Sequence, residues 1–158
     1  MWDFDKVTEK ELREIVNYFD EEKLFYKTKR PATLRTLEIK KLLTGTVGIF
    51  EDGKIVGLVS DKLSDLDSKT LDVNLSIVED TDYKNNAERV FDYLVSRAED
   101  RQCKYIKITI FSFDENTKKF LELMNFKKNA TLYGSVYKAG KYHSKEIYIY
   151  CLGDKKYD

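Results

Sequence analysis

Histidine, cysteine and proline are scarce in this chain, and so is any excess of charge. One histidine and two cysteines occur in 158 residues. Cys103 and Cys151 lack the close spacing of zinc ligands, and one imidazole adds little, so no metal site is expected. Such sparse cysteine suits a reduced compartment, and a cytoplasmic location is expected. Met1-Trp2-Asp3-Phe4-Asp5 has neither the basic nor the apolar region of a signal peptide. No apolar run reaches the length of a membrane span. The 28 Lys+Arg residues balance 28 Asp+Glu, so no overall charge draws the chain to nucleic acid or to a membrane. There is no repeat, linker or low-complexity tract.

What is present is the material of one core. Hydrophobic residues make up 42% and charged residues 35%, the balance of a soluble globular chain. The length suits one domain spanning residues 1–158. Residues 1–45 read as a helical N-terminal part and residues 46–152 as a sheet core.

Thr8 and Glu11 form a capping box, and Leu12, Ile15, Val16 and Phe19 line one face of the helix that follows. This helix should end near Asp20. Residues 25–30 read as a basic, aromatic loop. Pro31, the only proline, suits the first turn of a second helix through Leu34, Leu37, Lys41 and Leu42, with Gly45 at its C-cap. Asp52-Gly53 joins two apolar runs as a tight hairpin turn. Residues 61–68 read as a polar connection. Leu71, Val73, Leu75 and Ile77 alternate with polar residues, the period of a half-buried strand. Ala87, Val90, Phe91, Leu94 and Ala98 return at helical spacing. Ile106, Ile108 and Ile110 alternate again, and Thr117, Phe120, Leu121 and Met124 form another helical stripe. A second hairpin follows, residues 126–136 and 147–151, turning near Gly140. His143, the only imidazole, reads as a residue of that turn.

A strand that feeds a helix N-terminus can hold a phosphate on free backbone N–H groups. The segment concerned is Asp82-Tyr83-Lys84-Asn85-Asn86-Ala87. Read alone, Asn85 and Glu88 make a capping box, in which side chains take those same N–H groups.

The order and length of these elements resemble the GNAT acyltransferase superfamily, roughly over residues 46–152. The family carries Gln or Arg, two variable residues, Gly, one variable residue, then Gly or Ala after its fourth strand. Ala87 matches, Asn85 stands for a glycine, and Asp82 stands for the Gln or Arg. Asp82 would repel a pyrophosphate, and Lys84 would offset part of that repulsion. Phe126 matches the Phe that opens the next strand, with Asn125 for its Gly. Asp114 takes the family's Asn position and Leu121 its Tyr, the usual acid for the departing thiolate. Leu121 has no proton to give and reads as core.

The resemblance implies a mixed α/β (α+β) fold. Its sheet is mostly antiparallel with a central pair of parallel strands, flanked by helices. The last strand lies beside the fifth, which brings Cys103 and Cys151 close, as reduced and partly buried thiols. The resemblance also implies acetyl-CoA as cosubstrate and transfer of an acetyl group to a primary amine. It puts the cofactor against Ile77, Val78, Glu79, Lys84, Asn85, Asn86, Ala87, Glu88 and Asp114. Glu79 is the first candidate base, and Tyr133 and Tyr137 are candidate acids. The acceptor is a small molecule or a peptide, with a homodimer left open and neither membrane nor nucleic acid expected. A non-catalytic module of this fold, binding CoA or a protein, is the alternative. A nucleic-acid role for the basic loop is a third, against which the even charge balance argues.

Overall fold

The computed structural model describes residues 1–20, 24–25, 44–65 and 69–153. The expected helix after Pro31, apart from residues 44–45, which are helical and run straight into the next strand, and the loop before it apart from Phe25, lie outside these residues. So does the Phe19 side chain.

Thr8 caps the first helix as its sequence requires. Its N–H donates to Glu11 Oε1 at 3.0 Å, and Glu11 N–H returns a bond to Thr8 Oγ1 at 3.3 Å. The helix α1 runs Glu9–Asp20 and buries Leu12 and Ile15. Before it lies a strand that the sequence reading did not assign, β1, Trp2–Lys6.

The sheet continues with β2, Thr46–Glu51; β3, Lys54–Leu63; β4, Thr70–Ile77; β5, Tyr105–Phe111; β6, Lys127–Lys138; and β7, Lys141–Cys151. Two further helices are α2, Tyr83–Asp100, and α3, Glu115–Leu123. The strand order is β1-β2-β3-β4-β5-β7-β6. Among the described residues only β4 and β5 pair in parallel. The fold is therefore the expected mixed α/β sheet with one central parallel pair.

The turns follow from local chemistry. Asp52 and Gly53 take φ of 50° and 80°, and Ala139 and Gly140 take 52° and 78°, the paired positive angles of two-residue hairpin turns. Asn125 ends α3 at φ 61°, with Phe126 N–H bonded back to Leu121 C=O.

Two strands run longer than expected. β3 includes Asp61 to Leu63, which the sequence reads as connection. Asp61 stays in the strand because α2 supplies its partners: Arg97 donates to both carboxylate oxygens at 2.9 and 3.0 Å, and Arg101 to one at 3.2 Å. β7 starts at Lys141, so His143 is a strand residue and not a turn residue. Its ring meets Phe113 edge-on at 4.9 Å.

The helices divide between the faces of the sheet. On one face Ala87, Val90, Leu94 and Ala98 of α2, with Phe120 and Leu121 of α3, cover Leu71, Val73, Ile106 and Ile108. On the other, Leu12 and Ile15 of α1 pack with Ile55, Leu58 and Val78. The insertion of β7 pairs Cys151 with Tyr105, and Leu152 N–H reaches Lys104 C=O at 2.8 Å. Cys103 and Cys151 thus sit at the same end of adjacent strands, not joined in a disulfide, as that topology requires.

Candidate active site

The parallel pair does not stay paired. Its last rung joins Val73 to Ile108, yet β4 continues to Ile77 and β5 to Phe111. The strands fork above that rung. Which groups face the fork follows from the antiparallel ladder on the other side. Val78 N–H donates to Val56 C=O at 2.9 Å, so the bonded pairs of β3 and β4 involve even-numbered β4 residues. Leu75 and Ile77 therefore turn their N–H and C=O groups towards the fork. The Ile77 carbonyl accepts from Phe25 N–H at 2.7 Å. Of the main-chain groups expected at a thioester, the Val78 amide is engaged with β3, whereas Ile77 N–H points into the fork. Glu79 follows in an exposed turn.

The helix after this strand starts earlier than a cap at Asn85 requires. Asp82 is the N-cap residue and makes no side-chain capping bond. Its carboxylate instead accepts from Asn85 Nδ2 at 3.0 Å. The expected Asn85–Glu88 capping box does not form, because both residues lie inside the helix. The reason is tertiary. Asn86 is buried, accepts from Trp2 N–H at 2.9 Å and donates to Asp82 C=O at 2.7 Å. That clamp fixes the helix start against β1. The amides of Tyr83, Lys84 and Asn85 form the first turn, where a helix lacks internal acceptors. Ala87 packs into the core, so its small size answers a packing need. Lys84 and Glu88 are exposed.

Asp114 reaches the same region from β5. It is buried and caps α3, accepting from Thr117 N–H at 3.1 Å and Thr117 Oγ1 at 2.5 Å. Burial pushes its carboxyl above the usual range; the Thr117 bonds pull it back in part, and the charges of Glu79 and Glu115 push it further up. The Glu79 carboxylate is thus near enough to act on Asp114. A carboxyl raised in the folded state binds protons more tightly there than when unfolded. Its contribution to stability is present at low pH and is lost as pH rises through the raised value. Asp114→Asn keeps a capping oxygen and removes that loss. The variant should melt higher than the parent at neutral pH, with the difference shrinking in acid. Equal melting curves at both pH values would refute this account.

Tyr133 and Tyr137 lie on β6, with β7 and β5 between them and β4. Tyr133 is 86% exposed, beside an irregularity in the β6–β7 register. Tyr137 is 65% exposed and packs edge-on to Tyr142. The structure therefore draws Ile77, Glu79, Asp114 and the first turn of α2 to one fork and leaves these two tyrosines at the sheet edge. Leu121 is fully buried. One residue beside the site was not assigned a role there: Phe25 was read only as part of a basic, aromatic loop. Asn86 was expected against the cofactor, but its bond to Trp2 carried no signal in the sequence.

No family model and no curated protein matches the sequence. Solved structures do match in shape. A GNAT-superfamily phosphinothricin acetyltransferase from Sinorhizobium meliloti, solved with acetyl-CoA, superposes with a TM-score of 0.77 at 12% identity, over 97% of this chain and 89% of that one. An N-acetyltransferase from Staphylococcus aureus Mu50 gives 0.74 at 15%, over 96% and 98%. A ribosomal-protein-alanine N-acetyltransferase from Brucella melitensis gives 0.70 at 13%, over 94% and 99%. The chain has the fold of the GNAT acetyltransferases. At these identities the likeness is one of architecture.

Proposed function

We propose that the chain is an N-acetyltransferase that moves the acetyl group of acetyl-CoA to a primary amine by direct attack. The observation that carries this reading is the forked β4–β5 pair with the open first turn of α2 directly after it. Acetyl-CoA supplies the activated acyl carbon: a C–N bond forms as the C–S bond breaks. The Ile77 N–H is the donor that polarises the acyl oxygen. The amides of Tyr83, Lys84 and Asn85, with the Lys84 ammonium, take the pyrophosphate. Glu79 accepts the amine proton, directly or through water. Leu121 cannot protonate the thiolate, so water does.

A second reading, a CoA-binding module without turnover, has one specific support. Leu121 is sealed in the core where the resemblance would place an acid, and Glu79, Asp82 and Asp114 crowd the mouth with negative charge.

Binding and turnover are tested separately. Ligand held only by the native state stabilises by about 2.7 kcal/mol at roughly a hundred times its dissociation constant. Acetyl-CoA should raise the melting temperature and alter the emission of Trp2, the only tryptophan, whose backbone N–H is bonded to Asn86 in α2. Asp82→Gln should tighten binding, most at low salt. No shift and no calorimetric heat at millimolar acetyl-CoA would end the reading. Binding without thiol release across an amine panel would favour the module.

A further inference from the structure

On the sheet face away from α2 and α3, the strands floor a cleft of about 570 Å³, within the usual size of a small-molecule site. Residues paired across neighbouring strands share a face, so the register shows what covers this floor. Lys62 pairs with Asp72, and Asp72 with Lys107, which puts two ammonium groups and one carboxylate in a row. Lys107 Nζ lies 3.1 Å from Asp72 Oδ1. The approach is off the hydrogen-bond direction, so the contact is an ion pair only. Two residues further along, about 7 Å, come Asn74 and Thr109. They are the first residues past the last rung at Val73 and Ile108, where the fork opens. Lys145 borders the cleft beyond them, level with Phe111.

The charges on this face do not cancel. Asp61 reaches the cleft through its backbone position, but its carboxylate is held on the other face by Arg97 and Arg101. Lys62 makes only a loose, exposed pair with Asp65 at 3.8 Å. Among the described residues no carboxylate pairs with Lys145. Three lysines therefore meet one carboxylate on a polar floor that ends at the fork. An acceptor lying here presents its amine at the fork and its other end to the lysines.

Resting on the transferase reading above, we propose that the acceptor is a small primary amine carrying a carboxylate, which Lys62, Lys107 and Lys145 recognise. The carboxylate lies towards the Lys62–Lys107 row or against Lys145, and the amine reaches the acyl carbon past Asn74 and Thr109. The lysines are specificity determinants and take no part in proton transfer.

The test compares matched amines with the full chain and acetyl-CoA: glycine, β-alanine and γ-aminobutyrate, each against its primary amide. Thiol release gives kcat/KM, and calorimetry on the CoA-loaded protein gives acceptor binding. At least one acid should exceed its amide by about tenfold or more, the size of a charge-assisted contact. Lys107 is already offset by its ion pair with Asp72, so the double variant Lys62→Gln/Lys145→Gln should abolish that preference through KM, and Lys62→Arg/Lys145→Arg should retain it. Acetyl-CoA affinity should stay within about twofold in both variants, since these lysines lie on the face opposite α2. Amides used as well as acids, or a preference that survives the double glutamine variant, would overturn the proposal. If acetyl-CoA binds but no acid is acetylated or bound, this inference fails while the transferase reading stands. Failure to bind acetyl-CoA at all is the separate failure of that reading.

Discussion

Replacing Phe120 with alanine is expected to lower the unfolding free energy by about 3–5 kcal/mol. Phe120 is fully buried at the centre of an aromatic group. Its ring centroid lies 6.4 Å from that of Trp2 and 6.0 Å from that of Tyr83, and Tyr83 in turn meets Phe25 edge-on at 5.3 Å. These four rings come from β1, α2, α3 and the segment that bonds Ile77. Deleting the central ring leaves a void that four separate elements must close, and rigid elements collapse poorly. Two readouts should move together. The denaturant midpoint should fall, and Trp2 emission should shift to the red as water reaches the indole. A loss below about 1 kcal/mol would mean that the group repacks freely and does not fix α2 against the sheet.

Gly57→Ala should have the second largest effect, about 1–3 kcal/mol, with lowered acetyl-CoA affinity besides. A β-carbon at residue 57 would lie 2.7 Å from the Ser76 carbonyl oxygen and 3.2 Å from Ile49 Cδ1. The first of these is backbone and cannot swing aside. Gly57 pairs with Ile77, so the strands must separate beside the amide assigned to the acyl oxygen. Melting and calorimetry check the two effects. Unchanged stability would show that β3 shifts without cost. A destabilised variant with full affinity would remove Ile77 from the binding site.

The parts of this fold that sequence made legible are those whose signal is local. The Thr8–Glu11 cap, the Asp52-Gly53 turn and the stripes of α2 and α3 rest on neighbours within one or two turns. The alternation around Leu71 and Ile106 marked both central strands. β1 was missed although Trp2, Asp3, Phe4 and Asp5 alternate, because so short a run carries little weight beside a strong helix cap. The start of α2 was misplaced because Asp82 and Asn85 are both good cap residues, three positions apart. The choice is made by Asn86 bonding to Trp2, a contact spanning 84 positions. The lysine-floored cleft was invisible for a similar reason. Lys62, Lys107 and Lys145 come from three strands and share a face only through the register of strands that pair out of sequence order. The fork is likewise a property of where pairing stops, which strand periodicity does not record.

The strand order also bears on how the chain reaches this state. β7 lies between β5 and β6, so β6 touches the rest of the sheet only through a strand made after it. While the protein is being synthesised, β5 is an open sheet edge until residues up to Cys151 have left the ribosome. The hairpin of β6 and β7 can form early, since its turn is local, and then dock as a unit. Docking joins Tyr105 to Cys151 across 46 positions of sequence, and distant pairings of this kind slow folding. The sheet should therefore close only once β7 has been made, and a nascent form should until then expose the β5 edge to whatever binds unpaired strands.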